Sequence, residues 1–85
     1  MKLENRIRAL IAVGASVSAN CQPCLQTTSS MARDAGADEA QIAEAIEVGK
    51  RVRQGAASKM DKFASSLDYA ALSASAANDG CGCGS

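Results

Sequence analysis

The sequence predicts an all-α fold, a small helical domain that reaches full stability only by associating with copies of itself. Three observations predict it. Apolar residues recur at helical spacing in three successive stretches, Pro23 stands where the second of them begins, and Asp38 with Gln41 forms the signature of a helix start.

The first stretch runs from Leu3 to about residue 18, with Leu3, Ile7, Leu10, Ile11, Gly14 and Val17 as one stripe and the charged residues on the other face. Asn20 and Cys21 end that pattern. A second helix is predicted from Cys21 or Gln22 to Ala35, turning Cys24, Leu25, Thr28, Met31, Ala32 and Ala35 inward, with Gly36 placed for a left-handed C-terminal cap. Thr27, Thr28, Ser29 and Ser30 lower its intrinsic propensity, so packing must hold it.

Asp38 opens the third helix. Its carboxylate is placed for the N–H of Gln41, whose side chain can reach back, while Ala37 and Ile42 occupy the hydrophobic staple positions. Ile42, Ala45, Ile46, Gly49, Val52, Ala56, Met60, Phe63 and Leu67 continue the spacing, and a break or kink is predicted at Gln54-Gly55. Glu44 and Glu47 belong to a solvated face, with Glu47 set to pair with Arg51 one turn on. Gly14 and Gly49 read as close-approach points between helices, and Met31 and Met60 as core or interface filler. Residues 1–68 therefore form the domain, and residues 69–85 a flexible tail with a weak helix over 70–77 and a Cys81-Gly82-Cys83 end.

Composition narrows the function. Eighteen of the hydrophobic residues are Ala and four are Cys, with one Phe, one Tyr and no Trp, so a monomer buries little and a homo-oligomer is expected. Nine basic residues balance nine acidic ones, without a basic run or an aromatic platform, which argues against nucleic acid. No apolar run is long enough to span a membrane, and Lys2, Glu4, Arg6 and Arg8 occupy the place of a signal-peptide core, so a cytoplasmic protein is expected. In that reducing setting four cysteines point to catalytic thiols or metal ligands. The chain has no His, which removes imidazole acid–base chemistry and imidazole metal ligation.

The chemistry then falls to Asn20-Cys21-Gln22-Pro23-Cys24. A thiolate at a helix start meets unpaired N–H groups and the positive end of the helix dipole. Cys21 is expected at the N-cap and exposed, with Cys24 one turn in and more buried. Two such sulfurs can close a redox disulfide or hold one soft metal ion, and the residues between them do not choose. In the redox reading no cofactor is required, and Cys21 and Cys24 are the catalytic pair. In the metal reading Cys21, Cys24, Cys81 and Cys83 hold Cu(I) or Zn without turnover. Thr28, one turn after Cys24, is expected to pack or to bond back to a carbonyl.

Taken together, Ala9-Leu10-Ile11-Ala12-Val13-Gly14, Cys21-Gln22-Pro23-Cys24 and the stretch from Ala35 to Ala45, AGADEAQIAEA, resemble the carboxymuconolactone decarboxylase family in its alkyl hydroperoxidase D-like branch. The resemblance covers about residues 3–67. It implies an all-helical fold assembled into trimers or hexamers. It also implies a thiol–disulfide centre that reduces hydroperoxides and is recharged by a dihydrolipoyl carrier. Cys21 matches the resolving cysteine and Cys24 the one that attacks peroxide. The histidine and glutamate of the peroxidases' proton relay are matched here by Thr28 and Ala9, so the resemblance implies at most weak peroxide reduction.

Overall fold

The computed structural model describes residues 2–67. Three helices follow one another, α1 (Asn5–Ser18), α2 (Gln22–Asp34) and α3 (Glu39–Ser65), and no strand occurs among the described residues. None of these helices is long and apolar enough to cross a membrane. The predicted tail, its helix at 70–77 and its cysteines fall outside the described residues.

Local chemistry explains the boundaries. α1 starts after Glu4, which offers no side-chain cap, so the helix begins two residues later than its first apolar residue suggests. Two turns of the same design close α1 and α2. After α2, the N–H of Gly36 donates to Arg33 O at 3.0 Å and that of Ala37 to Ala32 O at 2.9 Å, with Gly36 at φ 98°. This is a Schellman cap, completed by the buried pair Ala32 and Ala37. After α1 the same bonds run from Asn20 N–H to Val17 O and from Cys21 N–H to Ser16 O, with Asn20 at φ 56°. Asparagine tolerates that region better than other residues bearing a side chain.

Asp38 and Gln41 form the reciprocal capping box as predicted: Gln41 N–H donates to Asp38 Oδ1 at 2.8 Å, and Asp38 N–H to Gln41 Oε1 at 3.2 Å. α3 does not break at Gln54-Gly55, because a glycine costs a helix interior only about 1 kcal/mol relative to alanine. On its outer face Glu47 pairs with Lys50, at 3.9 Å, in place of Arg51.

Residues 1–55 form one compact unit. Its core is made of Ala9, Val13, Ala32, Ala37 and Ile42, with Leu10, Leu25, Ala45 and Ile46 packed around it. Small residues dominate because α1 lies between two neighbours. Gly14 and Gly49 are the close-approach points expected of them: a Cβ on Gly49 would sit 2.9 Å from Val17 Cβ and against the Gly14 carbonyl. The buried face of α1 is Ala9, Val13, Ser16 and Val17, which keeps Val17, with Leu10 packed beside the core, from the predicted stripe and replaces Leu3, Ile7 and Ile11. Ile7 and Ile11 stay exposed, because the face of α1 that meets α2 and α3 carries the small side chains that allow close approach. Met31 is likewise exposed, at 52 %, and not core filler.

A second unit begins at Ala56, and its residues 56–67 are described. They carry α3 to Ser65, and the Ser66 hydroxyl donates to Phe63 O at 2.6 Å in the closing turn. Met60 and Phe63 are both 64 % exposed.

Candidate redox site at the start of the second helix

Cys21 serves two helices at once. Its N–H completes the cap of α1 by donating to Ser16 O at 3.0 Å, and its extended backbone (φ −103°, ψ 97°) makes it the N-cap of α2. In that role Cys21 Sγ accepts the N–H of Cys24 at 3.3 Å, the position a serine or aspartate oxygen takes at an ordinary helix start. Pro23, in the first turn, removes no intrahelical bond and fixes a helical φ. A sharp turn before the helix and a rigid first turn after it thus set the two cysteines 5.2 Å apart at Cα, and they form a disulfide.

The exposures are the reverse of the sequence expectation. Cys21 is half-buried and Cys24 exposed. The inward line of α2 runs through Leu25, Thr28 and Ala32, and Cys24 stands one residue off it, whereas Cys21 is drawn in by the turn that joins it to α1. Of the two cysteines, Cys24 is therefore the more accessible.

Thr28 occupies the turn above Cys24. Its hydroxyl donates to Cys24 O at 2.8 Å and lies 3.3 Å from the hydroxyl of Ser16, itself 6 % exposed and bonded to Ala12 O at 2.7 Å. Both hydroxyls thus serve carbonyls of their own helices, as expected for Thr28, and meet in contact between α1 and α2 beside the cysteines. Ala9 is core. Glu44 and Glu47 are exposed on α3, as their solvated-face reading has it.

One contributor escaped the sequence. Arg53, on α3, donates through Nη1 to Asn20 Oδ1 at 2.9 Å and to Val17 O at 3.3 Å. More than thirty positions separate it from the turn it holds, and no local pattern links them. Asn20 alone carried a signal, since asparagine just past a helical pattern marks a left-handed turn.

Of the four cysteines in the metal reading, Cys21 and Cys24 are together and Cys81 and Cys83 lie outside the described residues. Among the described residues no group of three or more His, Cys, Asp or Glu converges on one point.

A family model described as the carboxymuconolactone decarboxylase family matches residues 1–64. No curated protein and no solved structure matches the chain.

Proposed function

The chain belongs to the carboxymuconolactone decarboxylase family, and from that we propose that it is a thiol–disulfide oxidoreductase of the alkyl hydroperoxidase D-like kind, with Cys21 and Cys24 as its redox centre. The observation that carries the reading is the Cys21–Cys24 disulfide across the first turn of α2, with Cys24 an exposed residue and Cys21 Sγ held by an N–H.

Reduction follows from that asymmetry. A thiolate of a dithiol donor such as a dihydrolipoyl carrier attacks the Sγ of Cys24, the more exposed of the two residues. The Cys21–Cys24 bond breaks, and Cys21 leaves as a thiolate that the Cys24 N–H and the start of α2 stabilise. The donor's second thiolate then attacks its own sulfur in the mixed disulfide and frees Cys24. The donor ends as a disulfide, and two electrons and two protons have passed to the pair. In the other direction, the Cys24 thiolate attacks a hydroperoxide oxygen, the O–O bond breaks and an alcohol leaves. The resulting sulfenic acid condenses with the Cys21 thiol, releasing water and closing the disulfide. With Thr28 bonded to a carbonyl and Ala9 in the core, the leaving oxygen takes its proton from solvent, so this half-reaction is slow.

Self-association belongs to the same reading. Ile7, Ile11, Val48 and Val52 are each 39–59 % exposed and line one apolar groove of about 440 Å³ with Leu10 and Ala45, which supports a homo-oligomer covering that face.

Thiol counting tests the function. Wild-type protein should gain two thiols per C-x-x-C with dihydrolipoamide and lose them again with oxidised lipoamide, while Cys24→Ser should show neither change. Stoichiometric metal that co-purifies and is lost in Cys24→Ser would support instead the soft-metal reading, with Cu(I) or Zn on Cys21, Cys24, Cys81 and Cys83.

A further inference from the structure

The two Schellman turns of this chain differ in one respect. Gly36 closes one of them, after α2, without a side chain and with no tertiary hydrogen bond among the described residues. Asn20 closes the second in the same left-handed region, where a side chain is a cost, and that side chain is held by Arg53. Arg53 Nη1 also takes Val17 O, the acceptor of the Asn20 N–H, so one guanidinium grips both ends of the turn. The next residue is Cys21, whose N–H bond to Ser16 O belongs to the same cap.

We propose that Arg53 is a positioning residue of the redox pair: by clamping the Val17–Asn20 turn from α3 it holds Cys21 in its N-cap geometry and so favours closure of the disulfide with Cys24. The inference rests on the redox reading above. Reduction frees Cys21 Sγ from its bond to Cys24 Sγ, and how far the two sulfurs then drift depends on how tightly the backbone of Cys21 is held. A clamped turn keeps them at high effective concentration, which raises the closing constant against any external dithiol. Asparagine serves here because it tolerates the left-handed backbone and also offers an acceptor, whereas glycine offers only the first.

The test is the equilibrium between the protein and a dithiothreitol redox buffer, read by thiol alkylation and intact mass, for the full chain and for Arg53→Met, Arg53→Lys and Asn20→Gly. Loss of the clamp in Arg53→Met should make the disulfide about fivefold easier to reduce, the equivalent of one ordinary hydrogen bond. Asn20→Gly keeps the backbone conformation and removes the acceptor, so it should shift the equilibrium in the same direction with little loss of thermal stability. Arg53→Lys, which retains a donor, should recover part of the shift.

Two results would overturn the proposal. One is a fall in melting temperature for Arg53→Met with the redox equilibrium unmoved, which marks a purely structural bond. The other is a disulfide that becomes harder to reduce, which marks the guanidinium as a charge favouring thiolate. Should the wild-type pair fail to cycle at all, the redox reading itself is at fault, and that outcome is distinct from both.

Discussion

Gly49 lies so close to Gly14 that a Cβ on Gly49 would meet the Gly14 carbonyl and stand 2.9 Å from Val17 Cβ. Backbone on one side and a packed valine on the other leave no room to yield, so Gly49→Ala must part α1 from α3. A destabilisation of about 1–3 kcal/mol is expected. Gly55 is the control on the same helix, since a Cβ there meets nothing within 4 Å. Gly55→Ala should stabilise by about 0.5–1 kcal/mol through helix propensity alone. Thermal melts of the two variants should move in opposite directions, and a shared sign would contradict the close approach.

The dual role of Cys21 separates into cap and redox partner. Cys21→Ser and Cys21→Ala both abolish the disulfide, but serine can still accept the Cys24 N–H and alanine cannot. The serine variant should therefore be the more stable by about 1 kcal/mol in urea unfolding, with neither variant cycling with lipoamide. Equal stability of the two would mean that an acceptor at position 21 adds nothing to the start of α2.

The apolar face offers a third check. Ile11 and Val48 are 58 % and 59 % exposed and line the same groove, so a charge at either would disrupt the proposed self-association face without entering the core. Ile11→Glu or Val48→Glu should lower the mass measured by light scattering to that of one chain, with the helical circular dichroism signal kept. A wild-type mass of one chain, or a mass that neither charge changes, would overturn self-association through this face.

Much of this was legible in the sequence. The capping box of Asp38 and Gln41, the left-handed Gly36, the first-turn Pro23 and the close approach at Gly14 and Gly49 follow from residue type and spacing, because each involves a helix terminus or a missing side chain. The break expected at Gly55 did not follow, because propensity is a weak term that the helix on either side offsets.

The sequence by itself determined that three helices follow one another, where the second and third begin, and that a C-x-x-C pair falls at the seam between the first two. Those features rest on bonds reaching a few residues along the chain, which local chemistry fixes. Only the tertiary structure decided that Ala9 and Val13, and not Ile7 and Ile11, turn inward; that Cys24 is the exposed cysteine and Cys21 the half-buried one; and that Arg53 reaches back to Asn20. Each of these depends on where a second helix lies, and the face a helix presents to its neighbours is set by how near their backbones can come, not by the order of residues along its own turn.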